Sequence, residues 1–261
     1  VLRRFGRFVL IELLGRSDRT MAWRVQDPRI NQELVLVAPR MQPAQLSDYQ
    51  AWEQSVRRAA RLQHPNLAQA IEISHHDGWP YVIYEGAGSA TLGAQIARKG
   101  LVARDAASAT LQLGEALAYA HEAGVTHGDL QAFLVLQAPS GAAQLLGLEV
   151  ALGAVAPPGG GMDRSSALHD TTDRLRNQRD TAQRDVLALG LLLYRALSGQ
   201  TPLDEADTGR VIARMPPLGR DLVRLPWSTP RPIPDALRAI ANRATDRQER
   251  QRYRSARTLV H

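Results

Sequence analysis

Through the first third of the chain, apolar and polar positions alternate in short runs. "FVLIELLG", "TMAWRVQD" and "ELVLVA", within residues 8–38, read as strands separated by polar turns. The period then changes. "SDYQAWEQSVRRAARLQ" (Ser47–Gln63) carries apolar residues at Trp52, Val56, Ala59, Ala60 and Leu62, which predicts a helix, with Ser47 or Asp48 to cap it. "HPNLAQAIEISHHDGWPYVIYEGAG" adds two strands that meet in a turn at Asp77-Gly78. The small residues Gly86, Ala87 and Gly88 predict a connector between two bodies.

Beyond residue 89 the helical period dominates. "TLGAQIARKG" is a short element. Ala103–Gly124 is a long one, with Ala109, Leu113, Ala116, Leu117 and Ala120 at helical spacing and Gly124 as its stop. "FLVLQ" and "AQLLGLEV" predict two short strands around the turn "APSGA". Residues 153–182, rich in Gly, Pro, Ser and Asp, predict a long mobile loop. "DVLALGLLLYRALSG" is apolar nearly all round, as a buried central helix is. Helices around Asp235–Ala244 and Tyr253–Val260 close the chain, and no internal repeat is visible. The expected class is α+β: a five-stranded antiparallel lobe with one helix (about 1–85), a hinge (about 85–89) and a mainly α-helical lobe (about 90–261).

Composition changes this picture little. The 261 residues are 44% hydrophobic and 22% charged, ordinary for a globular protein with an ample core. No apolar stretch approaches the roughly 18 residues of a membrane span, and the start "VLRRFGRFVL" lacks the apolar core of a signal peptide. With no cysteine, disulfides, thiolate metal sites and thiol nucleophiles are excluded. The net charge of +6 is carried by arginines interleaved with acidic residues, which reads as a solvated surface, and no nucleic-acid partner is expected. A chain beginning at a valine and ending within a helical pattern is expected to be part of a larger protein. Only one residue in the chain, Lys99, is a lysine.

Five phrases stand in a fixed order along these elements: "LLGRS", "ARLQHPNL", "YVIYEGAGSATL", "YAHEAGVTHGDL" and "DVLALGLLLYRALSGQTPL". In that order they resemble the protein kinase superfamily, specifically the bacterial serine/threonine kinases, over roughly residues 5–260. The resemblance implies a single domain of bilobal protein kinase-like fold. Fold does not carry function, so each part of the implied site needs its own test.

The family's Gly-rich loop lets backbone N–H groups approach phosphates. Here "GRSDRT" (Gly15–Thr20) keeps one of three glycines, adds the carboxylate of Asp18, and reads as an ordinary hairpin turn. The phosphate-pairing lysine of the family falls on Val37, and Val35 stands where a small residue faces adenine. Lys99 lies beyond the hinge, and Arg40 is three residues out of register. The helix glutamate falls on Ser55, with Glu53 two positions away. The catalytic loop keeps His127 and Asp129. Gly128 replaces the family's arginine, Gln131 its lysine, and Leu134 its metal-binding asparagine. In the metal-binding Asp-Phe-Gly segment stand Gly147, Leu148 and Glu149. Asp185 and Gly190, architectural in the family, are present. Arg252 matches an arginine whose usual glutamate is missing, so it needs another partner.

These losses imply a pseudokinase: not an enzyme, holding neither metal nor other cofactor, and serving a protein partner as scaffold or regulator in the cytoplasm, where the family works. If a nucleotide binds at all, its pocket would be lined by Leu14, Gly15, Ala22, Val35, Tyr84, Leu136 and Leu146, with backbone at Glu85 and Ala87, and bulky Val35 and Tyr84 would constrict it. Two alternatives stay open. One is an atypical kinase using Glu149 for a metal and Arg40 as a cation; the other is a metal-independent nucleotide-binding switch. His75-His76-Asp77 reads as a solvated turn, and His121 and His127 lack a third metal ligand. No nucleophile elbow supports a hydrolase. The segment after Leu152 could dock a partner or accept phosphate but reads more simply as a relaxed loop. Arg247–Arg257 reads as a solvated helix face.

Overall fold

The computed structural model describes residues 3–86, 88–96, 100–151, 167–215 and 223–261, with side chains in the helix that begins at 167 described from residue 175. The N-terminal lobe is an antiparallel sheet of β1 (Arg4–Phe5), β2 (Phe8–Arg16), β3 (Thr20–Asp27), β4 (Gln32–Pro39), β5 (Ala70–His76) and β6 (Trp79–Glu85), in the order β1-β2-β3-β4-β6-β5. Helix α1 (Leu46–Ala60) joins β4 to β5. The sheet has one strand more than the five expected. β1 is two residues long and pairs with Phe8 and Val9, too short to leave a period in the sequence.

β4 explains how the sheet is buried. All of Leu34–Ala38 is buried, yet side chains alternate between two separate clusters. Val35 and Val37 face inward with Trp52, Val56 and Tyr84. Leu34, Leu36 and Ala38 face outward with Phe8, Val25, Tyr81 and Ile83. The outer side is pinned by Arg7, whose guanidinium donates to Asp27 at 2.8 Å and to Glu72, while Tyr81 donates to Glu72 at 2.9 Å.

The second lobe holds a small sheet, β7 (Ala90–Thr91), β8 (Val135–Gln137) and β9 (Ala143–Leu145), and the helices α2 (Leu92–Ile96), α3 (Ala103–Glu122), α4 (Ala167–Ser198), α5 (Thr208–Ala213), α6 (Asp235–Ala244) and α7 (Ala256–Val260). Leu113 and Leu117 of α3 and Leu189 and Leu193 of α4 are at most 1% exposed in its core. A Cβ on Gly190 would lie 2.7 Å from the Ala244 Cβ, so glycine there sets the close crossing of α4 and α6.

One expectation fails here. The loop predicted over 153–182 is helical from Ala167 onward, so the central helix α4 runs for 32 residues. Its first half contains neither Gly nor Pro; the breakers cluster before Met162, and averaging composition across the whole window concealed the change. Residues 152–166 lie outside the described part. Among the described residues, no helix is long and apolar enough to cross a membrane.

Candidate functional site: the junction between the lobes

Three of the positions where the family resemblance implies polar ligands meet each other. Val37 and Leu134 are 0% exposed, and a Cβ on Gly147 would lie 3.6 Å from methyl groups of both. Lysine, asparagine and aspartate positions are thus occupied by hydrocarbon and by a glycine. Gly147 has φ +84°, a left-handed conformation strained for any side chain, so an aspartate at this position would require a different backbone. Its N–H donates to the Tyr84 hydroxyl at 3.2 Å, and burial holds that phenol well above its ordinary pKa. Ser55, where the resemblance implies a glutamate, is half-buried on α1. α1 is tied down instead by the Trp52 indole N–H, which donates to the Val150 carbonyl at 2.9 Å.

The residues expected to line a nucleotide pocket do converge. Ala22, Val35, Tyr84, Leu136 and Leu146 belong to one cluster of buried side chains, with Leu14 packed against it. Ala22, Val35 and Leu146 are 0% exposed, so no water-filled cavity touches them. At the hinge, a Cβ on Gly86 would lie 2.6 Å from the Val35 Cγ2, so the backbone there rests directly on this cluster. Glu85 is exposed, and Ala87 lies outside the described residues. Gly15, the one retained loop glycine, covers Phe133: an added Cβ would sit 2.3 Å from the ring. Its missing side chain makes room for an aromatic ring of the other lobe.

The other end of the junction is polar. Asp185 of α4 accepts N–H groups of His127 at 2.8 Å and Gly128 at 3.0 Å and contacts the His121 Nε2 at 2.9 Å. Gly128, with φ +86°, allows the loop to turn around that carboxylate. His127 accepts the Asp129 N–H on Nδ1 at 3.2 Å and donates from Nε2 to the Leu146 carbonyl at 2.8 Å, the pattern of a neutral, structural imidazole.

Asp129 is 5% exposed and fully engaged. Its Oδ2 accepts the hydroxyls of Ser17 and Thr20, each at 2.6 Å, and its Oδ1 accepts the Gln131 amide at 2.9 Å. That same amide donates to Asp207 at 2.9 Å, while the Gln131 Oε1 accepts the Thr208 N–H at 3.1 Å. Asp207 caps α5 through the Gly209 N–H at 2.8 Å and accepts the Asp18 N–H at 2.7 Å. Arg210 of α5 grips the Asp18 carboxylate with two contacts of 2.7 and 2.6 Å and holds its pKa below the ordinary carboxylate value. Arg19 donates to the Gly128 carbonyl at 2.7 Å. The turn expected to be an ordinary hairpin is therefore docked on the opposite lobe through each of Ser17, Asp18, Arg19 and Thr20.

Ser17, Thr20, Asp207 and Arg210 were not anticipated as members of this site. No element is expected from the sequence at Asp207–Arg210, and nothing in the sequence signals what the Asp207 carboxylate binds across the junction.

The remaining candidates lie elsewhere. Glu149, the alternative metal ligand, has φ +61° and turns back to accept the Thr126 N–H at 2.8 Å, with Arg58 3.8 Å away. Arg40 lies on the hairpin side, where its charge helps lower the Asp18 pKa. His75 meets the Tyr49 hydroxyl at 3.2 Å and His76 meets Asp77 at 3.3 Å. Among the described residues, no group of three or more His, Cys, Asp or Glu side chains is arranged to hold a metal ion. Arg252 donates to the carbonyls of Asp246 and Arg247 at 2.5 and 3.2 Å, which supply the partner it needed. Lys99 lies outside the described residues. Among the described residues, the positions where the resemblance implies cationic and carboxylate ligands hold Val37 and Gly147, which do not fit a magnesium-bound triphosphate.

Comparison with known proteins bears on what such a junction belongs to. The family described as "Protein kinase domain" matches residues 39–261. The chain is 23% identical over 252 residues to a probable serine/threonine-protein kinase PknB of Lactococcus lactis, covering 95% of this chain and 40% of that protein. It is 23% identical over 259 residues to the serine/threonine-protein kinase PknA of Mycobacterium tuberculosis, covering 96% of this chain and 59% of that protein. It thus spans about two fifths to three fifths of the length of these curated relatives. The crystal structure of the Mycobacterium tuberculosis PknI kinase domain, as a double mutant, superposes with a TM-score of 0.61 at 17% identity, covering 99% of this chain and 95% of that one. These findings overturn the expectation that the chain is not an enzyme: its relatives are serine/threonine-protein kinases, and they point to an enzyme. With the family pattern matching most of its length and a bilobal fold shared with a solved kinase domain, the chain belongs to the protein kinase domain family.

Proposed function

We propose that this domain serves a bacterial serine/threonine kinase system as a regulatory domain that engages a protein partner, using the kinase fold as a scaffold with its interlobe junction closed. The observation that carries this reading is the apolar contact of Val37, Leu134 and Gly147 at three positions where the family resemblance implies charged or metal-binding groups. Replacing all three together is coherent physically, because no charge is left buried without its partner. The architectural bonds from Asp185 to the catalytic loop remain, which keeps the fold available for recognition. A cytoplasmic location goes with this reading by analogy with the family.

Thermal unfolding with nucleotide tests it. A ligand held at about 100 times its Kd would stabilise the native state by about 2.7 kcal/mol, roughly 5–10 °C for a domain of this size. We expect no shift in Tm with ATP at about 1 mM, with or without Mg²⁺ or Mn²⁺. A clear rise would overturn the closed junction.

Family membership and the retained Asp129 favour a second reading, phosphotransfer to a protein acceptor. It requires that the hairpin leave Asp129 and that other groups take the place of the missing ligands. Metal-dependent transfer of labelled phosphate from ATP, abolished by Asp129→Asn, would establish this reading in place of the first.

A further inference from the structure

We propose that the Gly15–Thr20 hairpin is an internal occupant of the acceptor-hydroxyl position at Asp129, and that it acts as a releasable latch between the lobes. In protein kinases the catalytic-loop aspartate receives the proton of the substrate hydroxyl. Here the chain's own Ser17 stands in that relation to Asp129, with Oγ 2.6 Å from Oδ2. The direction of this bond follows from the rest of the turn. Ser17 Oγ already accepts the N–H groups of Arg19 at 3.0 Å and Thr20 at 2.9 Å, so its single proton is directed at the carboxylate. Thr20 places a second hydroxyl on the same oxygen at 2.6 Å. Gln131, 1% exposed, holds the other oxygen and ties it to Asp207. Asp129 is thus held by hydrogen bonds that an incoming hydroxyl would have to displace.

The latch is built to open. Beyond the Gly15–Phe133 contact its attachments are polar, and its outer clamp, Asp18 on Arg210, has side chains 57% and 56% exposed, where water and salt compete. The turn keeps its own closure in the Ser17 N–H to Thr20 carbonyl bond of 2.8 Å, so it can swing away without losing its shape. Opening would uncover Asp129, Gln131 and the cap of α5 together. This inference rests on the closed-junction reading and adds its regulation: the polar end is a contact that autoinhibits access to Asp129.

Amide exchange on the whole chain, with no partner or nucleotide, tests the latch separately from that reading. The Asp18 N–H is a direct reporter because its acceptor, Asp207, lies on the other lobe. We expect it to exchange at least about a hundredfold more slowly than an open loop in the wild type. Arg210→Gln, whose side chain is 56% exposed, should accelerate it about two- to fivefold while amides of α3 and α4 stay unchanged. Ser17→Ala should do the same and Ser17→Thr should restore protection. Open-loop exchange at Asp18 in the wild type, or no response to Arg210→Gln, would overturn the latch while leaving the nucleotide test untouched. If Ser17→Ala does not fold, the wild-type rate and Arg210→Gln still decide.

Discussion

The two ends of the interlobe junction are closed by different physics. At the hinge end, Ala22, Val35, Leu136 and Leu146 merge the lobes into one dry cluster that depends on apolar burial and shape. At the other end, Ser17, Asp18 and Thr20 meet Asp129, Asp207 and Arg210 through directional hydrogen bonds and an exposed ion pair. A packed core tolerates no partial opening, whereas a hydrogen-bonded contact exchanges protein partners for water at a net cost of about 0.5–3 kcal/mol per bond. The junction therefore has a fixed end and a movable end.

The largest expected effect breaks the fixed end. Leu146, 0% exposed among side chains of both lobes, should cost about 2–5 kcal/mol when replaced by Ala, measured as a lower urea midpoint with unchanged slope. A loss under about 1 kcal/mol would mean that the hinge end is not one consolidated core. A middle-sized effect probes the seam between the ends. Gly15→Ala drives a methyl into Phe133 and should cost about 1–3 kcal/mol. Phe133→Ala in the same chain should recover most of that loss, and simple additivity of the two changes would remove the proposed contact.

The smallest effect is acid release of the movable end. Arg210 depresses the pKa of Asp18, so the contribution of this pair is complete above the unfolded value near 3.9 and is lost as pH falls through the lower folded value. Arg40, Asp207 and Glu205 share this surroundings. Amide chemical shifts of Asp18 to Thr20 should hold steady from neutral pH to about 4.5 and move below about 3.9, with Asp18→Asn abolishing the step. The Trp52 environment, set by the fixed end, should not change over the first part of that range.

Strands β2–β6, the helices α1, α3 and α6, and the buried half of α4 were legible because their signals are local: apolar positions at period two or 3.6, with turn residues between. The first half of α4 was lost inside a window whose glycines and prolines lie further upstream. That Val37, Leu134 and Gly147 are not the residues the family resemblance implies was also legible, one position at a time. What they imply was overdrawn as a non-enzyme, since absent side chains describe one set of ligands while the relatives speak for the family as a whole.

Sequence by itself determined the order of elements, the kinase-like division into two lobes, and which chemical groups are present at each position of the catalytic loop. Tertiary structure alone decided that Val37, Leu134 and Gly147 touch, that Gly15 makes room for Phe133, and that Ser17 reaches Asp129 across 112 positions of chain. The reason is range. Backbone propensity and periodicity act over a few residues, whereas the Ser17 hydroxyl meets the Asp129 carboxylate only where the two lobes pack against each other.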